Sequence, residues 1–289
     1  MSSSSLFFDV PPEYAEYDRA SVAILPVPFE RTTSYGAGAA GGPAAILAAS
    51  AQVELYDEMS GTEPFREGIS TLPACVPAAT DLGEAIGEIE EEAHRHLQAG
   101  KFLVTLGGEH SLTIGPIRAA RRVHGEIGVV QLDAHADLRD TYEGTPHSHA
   151  CVMRRAHEDG ISTLHVGIRA FCAEEAELIA ARGLPVVYGW ELDDFDGTSR
   201  FEGLVERLPP KVYVTFDVDF LDPSILPATG TPVPGGGLWY PTLRLLRTIF
   251  AARDVVAMDV VELAPMTSHH ASDFLVASLI YRCLGYRSR

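Results

Sequence analysis

The chain has 289 residues, of which 46% are hydrophobic and 21% charged, and its formal net charge is -18. This balance is typical of a globular protein with a large core, and the length suits one large domain or two ordinary ones. So acidic a chain excludes nucleic acid and anionic membrane surfaces from the expected partners and favours a cationic small molecule.

The amino terminus and the cysteines bear on where the protein works. The first residues, MSSSSLFFDV, contain no basic region and only a short apolar run, which argues against a signal peptide. No segment approaches the length of apolar sequence that spans a membrane. The 4 cysteines include no CxxC pair, which favours reduced thiols. We therefore expect a cytoplasmic protein, with residues 1 to about 20 as an amino-terminal tail or arm.

Short apolar runs alternate with longer segments of helical spacing along the chain. The predicted strands are Val22–Pro26, Phe102–Leu106, Ile127–Leu132, Thr163–Ile168, Pro185–Tyr188, Val212–Phe216 and Val255–Val261. The predicted helices are Gly42–Ala51, Leu82–Ala99, Ser111–Val123, Ala150–Asp159, Ala173–Arg182, Thr242–Ala252 and Ala271–Leu284. Strands without polar alternation predict a parallel sheet covered on both faces. The pattern therefore predicts one doubly wound α/β domain over residues 1–289.

Polar residues follow four of these strands directly. The strand ends run into Gly107–His110, Asp133–Asp137, Asp217–Asp219 and Glu262. In an open parallel sheet, ligands bind beyond the carboxyl ends of the strands. Carboxylates packed together repel each other unless a cation lies among them. A set of two His and four Asp suits Mn²⁺, with Zn²⁺, Fe²⁺ and Co²⁺ as competitors.

Each motif also has a purely structural interpretation. An Asp-x-Asp pair is often a solvated loop, and the segment Gly107–Ser111 could be a tight turn with a serine cap. His149 could likewise cap the helix that follows it. The motifs occur together at strand ends, however, and this combination favours a metal site. The long loop Leu221–Tyr240 is expected to lie over that site.

Five segments together resemble the signatures of the ureohydrolase family, which includes arginases and agmatinases. They are Gly107–Ser111, Asp133–Asp137, Ser148–His149, Asp217–Pro223 and Val261–Pro265. The resemblance implies a three-layer α/β/α sandwich with a mostly parallel, eight-stranded sheet, and a trimer or hexamer. It also implies two Mn²⁺ ions per chain. One ion would be held by His110, Asp133, Asp137 and Asp217, and the other by Asp133, His135, Asp217 and Asp219.

The resemblance also implies catalytic roles. Two cations lower the pKa of water, which then attacks the guanidinium carbon of the substrate. Glu262 pairs with the guanidinium group, and Asp137 accepts a proton as the attack proceeds. His149 passes a proton to the leaving amine.

The loop between Leu138 and Ser148 bears on the substrate. It contains none of the Asn residues with which arginases bind the substrate carboxylate, and it carries Asp140 and Glu143, which we expect to bind the far amine. The sequence therefore favours agmatine, cleaved to putrescine and urea. Aminopropylagmatine, guanidinobutyrate, guanidine and arginine stay open as substrates, and Arg139 could receive a carboxylate. A catalytically silent homologue with a binding or regulatory role is the alternative from another class.

Overall fold

The computed structural model of the chain describes residues 6–195 and 199–287. Its strands are β1 (Val22–Val27), β2 (Ile69–Thr71), β3 (Phe102–Gly107), β4 (Gly128–Leu132), β5 (Ser162–Ile168), β6 (Val186–Tyr188), β7 (Lys211–Asp217) and β8 (Asp254–Val261). They form a single sheet in the order β2-β1-β3-β8-β7-β4-β5-β6. Every pair of neighbouring strands in this sheet is parallel.

Helices connect the strands on both faces of the sheet. They are α1 (Pro12–Ala15), α2 (Gly42–Ser50), α3 (Leu82–Gln98), α4 (Ile114–His124), α5 (Val152–Glu158), α6 (Ala173–Arg182), α7 (Ser199–Val205), α8 (Trp239–Ala252) and α9 (Ala271–Arg287). Among the described residues, no helix combines the length and apolarity needed to cross a membrane.

Successive residues of each strand point to opposite faces, and this alternation builds two separate apolar layers. Ile24 of β1 belongs to the layer that includes helices α2, α7, α8 and α9. Leu25, the next residue, belongs to the layer that includes α3, α4, α5 and α6. Both side chains are fully buried. The fold is therefore the three-layer α/β/α sandwich with eight parallel strands that the family resemblance implies.

The register of the four central strands brings the polar segments together. Leu106 pairs with Val260, Val260 with Phe216, and Phe216 with Leu132, so these residues form one row across β3, β8, β7 and β4. The residues that follow this row therefore lie at one edge of the sheet, where the four polar segments begin.

The seven strands predicted from apolar runs are present, and each end lies within one residue of its prediction. Strand β2 and helices α1 and α7 were not predicted from the pattern. The predicted helix Ala150–Asp159 is split into a 3-10 turn, His149–Cys151, and the shorter helix α5.

The amino-terminal segment folds back onto the sheet. Phe7 and Phe8 are buried, and their backbone N–H groups donate to Thr71 Oγ1 and Ser50 Oγ at 2.9 Å each. The segment at Phe7 and Phe8 is therefore held against strand β2 and helix α2. The Ser-rich residues 1–5 lie outside the described part of the chain.

Candidate metal centre and active site

A cavity of about 220 Å³ opens at the carboxyl edge of the central strands. Its walls combine side chains from the ends of β3, β4, β7 and β8 with residues of three loops. The lining residues are Thr33, Ser34, Tyr35, Gly36, His110, His135, Asp137, Arg139, Tyr142, His149, Ala150, Asp217, Asp219, Gly230, Thr231 and Glu262. The predicted residues His110, His135, Asp137, Asp217, Asp219, His149 and Glu262 therefore share one cavity.

His110 faces three carboxylates. Its Nδ1 atom lies 2.9 Å from Asp137 Oδ2, 3.2 Å from Asp133 Oδ2 and 3.4 Å from Asp217 Oδ2. All four side chains are at least nine-tenths buried. His110, Asp133 and Asp137 form one group whose ligand atoms could hold a metal ion.

The other ring nitrogen of His110 shows which one carries the proton. His110 Nε2 lies 2.9 Å from Thr215 Oγ1, and the Thr215 hydroxyl donates to Asp259 Oδ1 at 2.7 Å. Because this hydroxyl donates its single hydrogen to Asp259, it can only accept from Nε2–H. A neutral His110 then points the lone pair of Nδ1 at the carboxylates.

The surroundings of His110 Nδ1 favour a bound cation. His110 Nδ1 is buried and has no hydrogen-bond partner in the described residues. A lone pair surrounded by three carboxylates is repulsive unless a proton or a cation lies between them. Imidazole and carboxylate ligands together suit a divalent transition metal. The residues present therefore fit a metal ion at this point.

The second group lies beside the first and shares Asp133 with it. Asp133, His135 and Asp219 bring their ligand atoms close enough to hold an ion. His135 Nδ1 lies 2.9 Å from Asp219 Oδ2 and 3.7 Å from Asp133 Oδ1. Asp217 stands between the groups, because its Oδ1 accepts from Asp219 N at 2.9 Å while its Oδ2 faces His110. Five of the six predicted ligands thus lie in two adjoining groups, and the sixth, Asp217, contacts a residue of each.

The charges of the centre perturb one another strongly. Burial and the neighbouring charge of Asp133 raise the pKa of Asp137 to about 7. Burial lowers the pKa of His135, but the charges of Asp219 and Asp133 outweigh it and raise that pKa to about 12. Such opposed shifts within one cavity are typical of functional sites.

Glu262 lies beside the predicted metal ligands and is in neither of the two groups that could hold an ion. Its Oε1 accepts from the backbone N–H of His110 at 2.6 Å, and burial raises the pKa of its carboxyl to about 8. The second carboxylate oxygen is left for a ligand in the cavity. Glu262 at φ 65° and Asp137 at φ 53° both adopt the left-handed backbone conformation, which is uncommon for residues other than glycine.

His149 is half-buried and contacts a loop that sequence reasoning did not connect with it. Thr32 Oγ1 lies 3.1 Å from His149 Nδ1, and it also donates to Glu109 Oε1 at 3.0 Å. Burial lowers the pKa of His149. The N-cap of the 3-10 turn is Ser148, whose side chain accepts from Ala150 N, and the N-cap of α5 is Cys151, so His149 caps neither element. Glu109, which accepts from Thr32, is fully buried. Its place in the Gly107–Ser111 motif is the sequence signal from which its role in the site could have been predicted.

The structure does not bring Asp140 and Glu143 into the site. Asp140 is exposed and accepts from Arg155 Nη2 at 2.9 Å, and Glu143 is exposed in the turn between Tyr142 and Thr145. Neither side chain lines the cavity. Their assignment to substrate binding is therefore corrected: Asp140 forms an ion pair with a helix α5 residue, and Glu143 faces solvent.

Arg139 and Tyr142 line the cavity from that same loop. The Arg139 guanidinium lies 5.0 Å from the centre of the Tyr142 ring, and its Nε is 4.0 Å from Glu175 Oε2. The long loop between residues 221 and 240 also reaches the site. Gly230 and Thr231 line the cavity, and Thr231 Oγ1 donates to Asp219 Oδ2 at 3.4 Å.

The chain matches a known protein family and is similar to several individual proteins. The model of the Arginase family matches residues 20–285. The chain is 40% identical to an N(1)-aminopropylagmatine ureohydrolase of Synechocystis sp., over 99% of this chain and 97% of that protein. A protein of the same description from Thermus thermophilus is 37% identical, over 94% and 92%. An agmatinase of Pyrococcus horikoshii is 32% identical, over 98% and 97%.

Solved structures show the same fold. The agmatine ureohydrolase of Thermoplasma volcanium superposes with a TM-score of 0.87 and is 28% identical, covering 100% of this chain and 95% of that one.

Proposed function

Because this chain belongs to the arginase family, we propose that it hydrolyses N1-aminopropylagmatine. It is a ureohydrolase-type enzyme, and the cleaved bond joins a guanidinium carbon to its substituted nitrogen. Loss of urea from this substrate leaves spermidine. The observation that carries the choice of substrate is the 40% identity to the Synechocystis relative, against 32% to the Pyrococcus agmatinase, each over nearly the whole chain.

The cavity supports a guanidinium group placed between Glu262 and the two metal groups. The free oxygen of Glu262 accepts N–H donors of the guanidinium, and the ion pair orients its carbon. Metal ions, when bound, lower the pKa of water towards 7 and so supply a nucleophile at neutral pH. Asp137 accepts a proton during attack, and His149 delivers one to the nitrogen of the leaving amine.

The polyamine tail of the substrate would extend to the mouth of the cavity. Tyr35 and Tyr142 line the cavity, and Tyr35 is 85% exposed. Aromatic faces attract ammonium groups by about 0.5–2 kcal/mol. We propose that these two rings, and not Asp140 and Glu143, bind the tail.

We propose two Mn²⁺ ions as the cofactor. Two adjoining groups that share Asp133 support two ions per chain, and the mixture of imidazole and carboxylate ligands supports manganese. Elemental analysis after reconstitution with Mn²⁺ should approach two equivalents per chain. Full activity at one equivalent would contradict the binuclear proposal.

Urea release tests the substrate directly. We expect kcat/KM for N1-aminopropylagmatine to exceed that for agmatine by about tenfold, since one added ammonium contact contributes about 1.4 kcal/mol. We expect arginine and guanidinobutyrate to be at least a hundredfold poorer than N1-aminopropylagmatine. The Asp219→Asn variant, which lacks a metal ligand, gives the background rate for every substrate.

The second candidate is agmatine itself, the substrate favoured by the sequence analysis. The agmatinase from Pyrococcus and the structure from Thermoplasma support it. An equal or higher kcat/KM for agmatine would select this candidate. A preference for arginine or guanidinobutyrate would instead assign Arg139 to a substrate carboxylate, and no hydrolysis with metal bound would select a binding or regulatory role.

We also propose a cytoplasmic trimer or hexamer. The four cysteines form no disulfide in the structure, which suits a reducing compartment. The family resemblance supports the oligomer, and light scattering of the purified protein measures it.

A further inference from the structure

His149 contacts the loop that precedes helix α2 through one hydroxyl group. Thr32 Oγ1 lies 3.1 Å from the ring atom His149 Nδ1 and accepts from the backbone N–H of His149, also at 3.1 Å. The two residues are 117 positions apart in the sequence. Thr33 lines the cavity, but Thr32 does not. Thr32 therefore touches the histidine without reaching the space that a substrate would occupy.

The Thr32 hydroxyl donates its hydrogen to Glu109. The distance from Thr32 Oγ1 to Glu109 Oε1 is 3.0 Å. The Glu109 carboxylate is buried among donors, because it also accepts from the backbone N–H groups of Arg31 at 2.8 Å and Thr32 at 2.6 Å and from the Ser111 hydroxyl. A carboxylate has no hydrogen to give back. Thr32 Oγ1 can therefore act only as an acceptor towards His149.

We propose that Thr32 is a positioning residue that holds His149 in the tautomer with its proton on Nδ1. Nδ1–H donates to Thr32 Oγ1, and Nε2 is left as the nitrogen available to the cavity. The inference rests on the proposed function, in which His149 serves the leaving amine. Nε2 takes up a proton from the solvent, which balances the proton released when water becomes the nucleophile. That proton passes to the amine nitrogen as the carbon–nitrogen bond breaks and its electron pair stays on nitrogen.

Glu109 extends this arrangement by one residue. When Nε2 gains its proton, the ring carries a positive charge, and Nδ1–H still points along the Thr32 hydroxyl towards the Glu109 carboxylate. Burial lowers the pKa of His149, and the charge of Glu109 opposes that shift in part. The Thr32 hydroxyl thus connects the His149 ring to the buried Glu109 carboxylate.

Ser148 offers the competing arrangement. Its Oγ lies 3.3 Å from His149 Nδ1 and has a hydrogen of its own to donate. If Ser148 donated to Nδ1, the proton of the neutral ring would sit on Nε2. The Ser148 oxygen is farther from Nδ1 than the Thr32 oxygen, and it accepts from Ala150 N at 3.4 Å. A lone pair on Nδ1 would also face the oxygen lone pairs of Thr32, which favours Nδ1–H.

Nuclear magnetic resonance of the histidine rings tests the tautomer in the unaltered protein. The ring nitrogens are labelled with ¹⁵N, the protein is loaded with diamagnetic Zn²⁺, and the His149 signals are assigned with His149→Gln. We expect a protonated Nδ1 and an unprotonated Nε2 at a pH where the ring is neutral. The opposite pattern in the unaltered protein would overturn the proposal, whatever the variants do.

Steady-state kinetics with Mn²⁺ test the consequence. Thr32→Val keeps the shape of the side chain and removes the acceptor, so we expect kcat to fall about 10- to 100-fold while KM changes less than about threefold. Thr32→Ser restores the hydroxyl and should recover at least a third of kcat. An unchanged kcat in Thr32→Val would overturn the proposal, as would a change of tautomer in Ser148→Ala but not in Thr32→Val. Failure of the unaltered protein to release urea would overturn the proposed function, whereas the ring spectrum tests the tautomer separately.

Discussion

Two carboxylates of the site, Asp137 and Glu262, hold the left-handed backbone conformation. A residue other than glycine in this region costs about 1–3 kcal/mol, and it persists only where the surrounding contacts impose it. Both residues have such contacts: Asp137 O accepts from Met153 N and Arg154 N, and Glu262 N donates to Gly108 O at 2.7 Å. The fold therefore gives up some stability to aim these two side chains into the cavity.

Glu262→Gln tests the residue that we place against the substrate. The amide oxygen can still accept from His110 N–H, so the local backbone should be kept. Loss of the negative charge removes the ion pair with the guanidinium, and we expect kcat/KM to fall about 100- to 1,000-fold, or about 3–4 kcal/mol. The bound metal should stay at the level of the unaltered protein. Glu126→Gln, an exposed change in the turn before β4, is the control. A variant that lost metal but kept its activity per bound pair would refute the role.

Thr215→Val tests the residue behind His110. The Thr215 hydroxyl accepts from His110 Nε2–H and donates to Asp259. The Tyr213 hydroxyl also donates to Asp259, at 2.8 Å. Partners of this kind fix the ligand ring, and their loss weakens metal binding about 10- to 100-fold. Valine keeps the volume of the buried side chain. We expect a weaker apparent Kd for metal by calorimetry, activity that recovers at high metal concentration, and normal binding in Thr215→Ser. Equal metal affinity in Thr215→Val and the unaltered protein would contradict this role of Thr215.

At the scale of elements, apolar runs located seven of the eight strands because these runs are rich in apolar residues and free of polar alternation. Strand β2 is as short as β6, but two of its three residues, Ser70 and Thr71, are polar, so no apolar run marks it. The carboxyl ends of parallel strands lie at a common edge, so the grouping of the predicted ligands followed from the strand predictions. That step required only the order of the residues along the chain.

The supporting residues could not be predicted in this way. Thr32 and His149 lie on separate loops, and only the folded chain brings them together. Thr215 and Asp259 sit inside runs that have the pattern of buried strands, and their pairing depends on the register of β7 against β8. The error over Asp140 has the same origin, since the loop sequence does not show that Arg155 of α5 faces it.

Gly167 shows how one strand position supports the site. It lies at the irregularity between β5 and β6 with φ +92°, and a Cβ there would come within 2.5 Å of the Phe220 ring and 3.0 Å of Asp133 O. Gly167→Ala should therefore destabilise the fold by about 2–4 kcal/mol and lower metal occupancy through displacement of Asp133. Urea unfolding and elemental analysis measure the two effects.

The matched control for that change is Gly87→Ala on helix α3. A Cβ at Gly87 would meet no atom within 4 Å, and the residue lies inside a regular helix. Alanine should raise the free energy of unfolding by about 1 kcal/mol there. If both alanines proved equally tolerated, the close approach of Gly167 to Phe220 would not constrain the site.

At the scale of the whole molecule, the buried cluster of carboxylates and imidazoles ties metal binding to pH. Ligands must be free of protons to bind a metal ion. In the metal-free protein the pKa of Asp137 is raised to about 7 and that of His135 to about 12, so near neutral pH His135 is protonated and Asp137 is about half protonated. Metal ions must displace those protons, and lower pH therefore weakens metal binding.

We expect the affinity for Mn²⁺ to fall at least tenfold between pH 8 and pH 6. Over this range the ionised fraction of Asp137 drops from about nine-tenths to about one-tenth, which alone accounts for a factor of about ten. Protons on His135 act in the same direction and steepen the loss. Because bound metal stabilises only the folded state, the rise in Tm on adding Mn²⁺ should shrink over the same range. Calorimetry in buffers of different ionisation enthalpy measures both the affinity and the protons released. An affinity that is independent of pH, with no proton release, would mean that the ligands are already deprotonated before metal binds.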